Sequence, residues 1–133
     1  MKKDLDDALV RDFPNLYRDR HGDPRATGMA RGFDVGDGWE PLLRRFSAKV
    51  EPLVAGTSLR AVQIKEKFAV LRIYLGADEE LPQAVDGAIN EAIDEAVENS
   101  ARTCEVCGAS GRSRPIKYGR LRTLCDACVE GTG

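Results

Sequence analysis

Apolar residues recur along this chain with helical spacing in three stretches and alternate with polar ones in a fourth. Leu5, Ala8 and Leu9 share one side of a short helix over residues 4 to 12. Phe13-Pro14 should stop it, because a proline ring drives the residue before it out of helical backbone. Trp39, Leu42, Leu43, Phe46, Val50, Leu53 and Val54 follow the i, i+3, i+4, i+7 pattern of one covered face, which predicts a helix over residues 38 to 54. Asp37 is placed to cap it, Pro41 fits its first turn and Gly56 stands past its end. The longest helix is expected over residues 79 to 102. Val85, Ala88, Ile89, Ala92, Ile93, Ala96 and Val97 form its apolar stripe, and Glu79 and Glu80 suit its positive N-terminal end.

Between the two long helices the period shortens. Val62 and Ile64 alternate with polar neighbours, then Lys65-Glu66-Lys67 intervenes before Val70, Ile73, Tyr74 and Leu75. The pattern predicts two strands joined near the charged triplet as an antiparallel hairpin. One bent strand is the alternative, since the triplet offers neither Gly nor Asn for a turn. Val62, Ile64, Val70 and Ile73 should face the helices. Residues 18 to 38 contain Gly22, Pro24, Gly28, Gly32, Gly36 and Gly38 among Arg18, Arg20, Arg25 and Arg31, which reads as a long polar loop, either functional or loose. The expected fold is α+β. Two long amphipathic helices cover a small antiparallel hairpin or sheet in a core domain (residues 1–102), and a C-terminal four-cysteine zinc ribbon (residues 103–133) packs on it.

The metal expectation rests on spacing. Cys104-Glu105-Val106-Cys107 and Cys125-Asp126-Ala127-Cys128 are two Cys-x-x-Cys pairs separated by 17 residues. Two residues between thiolates let the backbone curl so that both sulfurs face one cation, and two such knuckles complete a tetrahedron. Gly108 permits the open backbone such a knuckle needs. Zn2+ is the expected ion, with an iron–sulfur cluster as the alternative. Four thiolates leave no open position, so the ion should be structural.

Charge is segregated rather than excessive. With 20 Lys and Arg against 22 Asp and Glu, the chain lacks the basic surplus of a nucleic-acid coat. The charged fraction of 32% beside 42% hydrophobic residues places it among folded domains rather than disordered chains. Glu91, Asp94, Glu95 and Glu98 lie opposite the apolar stripe of the third helix, as a solvated face or a docking face for a basic partner. Arg102, Arg112, Arg114, Lys117, Arg120 and Arg122 give residues 102 to 123 a net charge of +5. They either pair with the acidic helix or, with Tyr118 as a stacking ring, contact nucleic acid. The N-terminal segment turns acidic at once, and no apolar run approaches a membrane span, so a reducing cytoplasm is expected, where clustered cysteines favour metal over disulfides.

Catalytic patterns are missing. His21 is the one histidine, which excludes two-histidine metal sites, and neither a His-x-Glu, a phosphate-binding glycine loop nor a Gly-x-Ser-x-Gly elbow occurs. The chain is therefore not expected to be an enzyme.

Several motifs in order carry a resemblance. Gly36-Asp37-Gly38-Trp39, Gln63-Ile64-Lys65-Glu66-Lys67-Phe68 with Leu71-Arg72-Ile73-Tyr74, Cys104-Glu105-Val106-Cys107-Gly108-Ala109-Ser110-Gly111 and Leu121-Arg122-Thr123-Leu124-Cys125-Asp126 resemble a family of small uncharacterised proteins of bacteriophages and prophages. That family often has His where this chain has Cys128, and Gly-Gly where it has Ala69-Val70. The resemblance implies a mobile-element origin and action in a bacterial cytoplasm. Two functions are expected in competition: a protein that binds and inhibits a bacterial host protein or defence complex, and an accessory protein that binds nucleic acid through the basic ribbon.

Overall fold

The computed structural model describes residues 1–132, so Gly133, the last residue of the expected C-terminal module, lies outside it. In chain order the elements are α1 (Lys3–Asp12), β1 (Phe33–Asp34), α2 (Glu40–Val54), β2 (Arg60–Lys67), β3 (Val70–Gly76), α3 (Gln83–Ser100), β4 (Arg112–Pro115), β5 (Leu121–Leu124) and α4 (Asp126–Thr132), with short 3₁₀ turns between some of them. The fold is α+β. Among the described residues, no helix is long and apolar enough to cross a membrane.

The central sheet has the order β1-β2-β3 and is mixed, not purely antiparallel as expected. β2 and β3 form the antiparallel hairpin, while β1 runs parallel to β2 with Phe33 opposite Ile64. β1 comes from the segment expected to be a long polar loop. That segment is held by its few apolar side chains, since Met29, Phe33 and Val35 are buried beside the glycines that hid them from any periodic pattern. Arg20 braces it, its guanidinium donating to the buried Asp6 carboxylate at 2.9 and 3.2 Å.

The hairpin turn also differs from expectation. Lys65, Glu66 and Lys67 continue β2, and the turn is Phe68-Ala69, both with positive φ (54° and 71°). Glu66 makes this possible without Gly or Asn by accepting the Ala69 N–H at 2.9 Å. A register shift between Ala61 and Gln63 breaks the alternation. Ala61, Ile64 and Leu71 are consequently buried and Ile73 packs against the core, whereas Val62 and Val70 are only half-buried.

α3 packs on β3, and α2 packs on α3. Leu42, Leu43, Phe46, Val50 and Val54 of α2 join Ile89, Ala92 and Ala96 of α3 in one hydrophobic cluster with the sheet residues. Each such large side chain contributes about 1.5–3 kcal/mol by leaving water. Acids expected at two helix starts act elsewhere. Asp37 lies in a 3₁₀ turn before α2 and accepts the Lys2 N–H at 2.7 Å. α3 begins at Gln83 after Pro82, which leaves Glu79 and Glu80 outside the helix, and Glu79 caps the Ser58 N–H at 2.9 Å instead.

Candidate metal centre

The first pair of cysteines sits just past α3. The Cys104 N–H donates to the Ala109 carbonyl at 2.7 Å, and the Gly108 N–H returns to the Cys104 carbonyl at 2.9 Å. Gly108 closes this turn at φ 83°, a conformation that only glycine adopts without strain. The second pair spans the junction of β5 and α4, where the Cys128 N–H lies 3.4 Å from Cys125 Sγ. The four sulfurs of Cys104, Cys107, Cys125 and Cys128 thus come within 4.8 Å of one another. Cys107 Sγ and Cys125 Sγ are 3.6 Å apart, close to the edge of about 3.8 Å that a tetrahedron of 2.3 Å Zn–S bonds requires. Cys104 is buried and Cys107 exposed, so the cluster opens outward on one side.

Electrostatics in the cluster favours one thiolate and resists more. Burial pushes the Cys104 thiol up, but the N–H groups of Cys107, Cys125 and Val106 outweigh that and bring it down to about 6. The Ala109 N–H favours the Cys107 thiolate, yet the neighbouring sulfurs of Cys125 and Cys104 hold that thiol above its ordinary value. Hydrogen bonding with Cys125 pushes the Cys128 thiol up to about 12. A bound dication reverses this order, since it stabilises all four thiolates and expels their protons.

The glycines of Gly36-Asp37-Gly38-Trp39 are where this module meets the core. A methyl group at Gly38 would collide with the Cys104 carbonyl, and one at Gly36 with the Glu105 carbonyl. The Gly38 N–H donates to the Glu105 carbonyl at 2.8 Å, and the fully buried Trp39 donates its indole N–H to the Thr103 carbonyl at 2.8 Å. From the other side, Thr123 Oγ1 donates to the Ala69 carbonyl of the β2–β3 turn at 2.6 Å.

Glu105, between the first two cysteines, is a residue that sequence patterns did not single out. Its buried carboxylate accepts the Gly36 N–H at 2.9 Å and the Arg122 guanidinium at 3.3 Å. The available signal was its position as the sole acid among the cations of residues 102 to 123.

The expected partner surfaces divide. Glu91, Asp94 and Glu98 are exposed and enter no ion pair among the described residues, whereas Glu95 bonds Lys49 of α2. The ribbon cations do not pair with the α3 acids. Arg114 bonds Asp126, Arg122 bonds Glu105 and Arg120 reaches Glu66 at 3.9 Å. Arg114 and Arg122 are cross-strand partners, so their acids also relieve the repulsion of two like charges placed opposite each other. Arg112, Lys117, Tyr118 and Arg120 remain exposed. In comparisons with known proteins, no family model, no curated protein and no solved structure matches the chain.

Proposed function

We propose that this chain is a non-enzymatic interaction protein whose C-terminal segment is a zinc ribbon, with one Zn2+ held by Cys104, Cys107, Cys125 and Cys128. The observation that carries this reading is the convergence of the four sulfurs within 4.8 Å from two turns far apart in sequence. Zinc held by four thiolates has no open position for substrate, so it staples the ribbon rather than doing chemistry. Two strands of four residues each and a seven-residue helix are too small to hold themselves, and a metal supplies what their core lacks. The resemblance to phage and prophage proteins supports action in a bacterial cytoplasm on a host protein or defence complex, as an inhibitor or adaptor.

The unpaired acids of α3 support a basic protein partner there. Glu91, Asp94 and Glu98 offer three uncompensated charges on one helix, while Glu95 is engaged with Lys49. Elemental analysis of freshly purified, reduced protein tests the metal, with one zinc per chain expected; iron, or markedly less than one zinc, rejects it. For the partner, a triple variant Glu91→Lys, Asp94→Lys, Glu98→Lys should keep its melting temperature and lose a host protein that the parent retains. Equal retention by both returns the face to plain solvated surface.

A further inference from the structure

The two hairpin tips of the molecule meet, and both carry a ring exposed to solvent. Phe68, at the β2–β3 turn, is 69% exposed, and Tyr118, at the β4–β5 tip, is 99% exposed. A groove of about 520 Å3 runs between the tips and is lined by Glu66, Lys67, Phe68, Tyr118, Arg120 and Leu121. Both aromatic residues occupy the left-handed region, at φ 54° and 62°. Bulky L-residues rarely adopt that conformation, and glycine would take it without cost. The fold therefore spends strain to hold two large apolar rings in water, a pattern that marks functional positions.

The charges around the rings name the ligand. Lys67 stands over the Phe68 ring at 5.5 Å, Lys117 adjoins Tyr118 in the chain, and Arg120 is largely exposed. Glu66, the acid of the groove, is spent on the Ala69 N–H at 2.9 Å and on Arg120 at 3.9 Å. Protein interfaces are depleted in lysine, whereas a groove that combines π faces with cations matches stacked bases and their phosphates. We infer that this groove binds single-stranded nucleic acid, stacking bases on Phe68 and Tyr118 while Lys67, Lys117 and Arg120 face the phosphates. Paired bases in a duplex hide the faces that the rings need, so the preference should be for single strands. The proposal is independent of the acidic face of α3.

Fluorescence anisotropy tests it, using end-labelled single strands of about 12 nucleotides, as DNA and as RNA, and the matching duplex. The full-length protein is used as purified, with its metal content and melting temperature measured on the same sample, so that a failed metal assignment is seen separately. Single strands should bind with a Kd of roughly 1–100 μM, weakening steeply between about 50 and 200 mM salt. The DNA and RNA arms then tell which strand is preferred. Phe68→Gly and Tyr118→Gly relieve left-handed strain, so neither should lower the melting temperature, and each should weaken binding roughly 5- to 100-fold. Lys117→Ala should reduce the salt slope by about one. No binding at low salt, equal binding of the duplex, or affinity untouched by both glycine variants overturns the proposal; a groove that instead takes a protein partner would give the first of these results.

Discussion

Replacing Glu105 by alanine tests whether the ribbon is locked to the core through a buried carboxylate. The side chain is 6% exposed and serves two donors, the Gly36 N–H at 2.9 Å and the Arg122 guanidinium at 3.3 Å. Truncation leaves the partly buried Gly36 N–H without an acceptor, which costs about 1–2 kcal/mol. It also strips Arg122 of its partner. A fully buried broken pair would cost about 3–5 kcal/mol, but Arg122 keeps 22% of its side-chain surface in water, which reduces that share to about 1–2 kcal/mol. The total of about 3 kcal/mol corresponds to a fall in Tm of roughly 10 °C for a chain of this size. Thermal melting of metal-matched samples reads it. Glu105→Gln, which keeps one acceptor, should fall about half as far. A double-mutant cycle with Arg122→Met should return a coupling of about 1–2 kcal/mol. A Tm for Glu105→Ala within about 3 °C of the parent would refute the argument, because among the described residues the Gly36 N–H and the Arg122 guanidinium have Glu105 as their acceptor.

Gly38→Ala should cost about 1–3 kcal/mol and weaken zinc retention against a chelator, because the new methyl pushes on the Cys104 carbonyl; parental retention would show that the turn yields freely. Cys128→Ser should release the metal and raise protease sensitivity after Arg102, while Cys128→His, which restores a nitrogen ligand, should retain it; zinc content and limited proteolysis separate the two. Burial holds the Tyr17 phenol above its ordinary value of 10.0, with the hydrogen bond to Ser47 offsetting only part of that shift. The folded chain therefore keeps this proton when the unfolded chain releases it, so the stabilising contribution is whole below about pH 10 and is lost as pH rises from there. Urea midpoints at about pH 9 and 11 should show the parent's advantage over Tyr17→Phe shrinking; a constant difference contradicts the assignment.

The strongly periodic parts of this protein are legible in its sequence. Leu42, Leu43, Phe46 and Val50 mark α2 because a helix half in water must repeat its apolar residues every three or four positions. The cysteine spacing likewise identified which sulfurs converge, since chemistry at a knuckle depends on neighbours in the chain. Boundaries were less legible. Asp37 looks like a helix cap from sequence and Glu79 like a first-turn acid of the longest helix, yet each accepts from a donor elsewhere, in Lys2 and Ser58. Local capping is worth only about 1 kcal/mol and yields to tertiary placement.

What the sequence by itself determined is therefore the α+β class, the helix faces and the sulfur set, because apolar periodicity and the Cys-x-x-Cys spacing of each knuckle are both patterns within a few residues. Only the tertiary structure decided how distant segments meet. The parallel pairing of β1 with β2 joins Phe33 to Ile64 across a segment whose glycines erase any period. The Phe68-Ala69 turn needed the Glu66 carboxylate to hold it, and its ring shares a groove with Tyr118 only because the two hairpins are docked through Thr123 and Ala69. Gly36 and Gly38 are silent as sequence and become necessary only because the Cys104 and Glu105 carbonyls lie against them. The close approach at Thr123 and Ala69, the parallel register of β1 and the backbone donor to the buried Glu105 carboxylate each join chain segments more than 30 residues apart, and no local pattern carries that information.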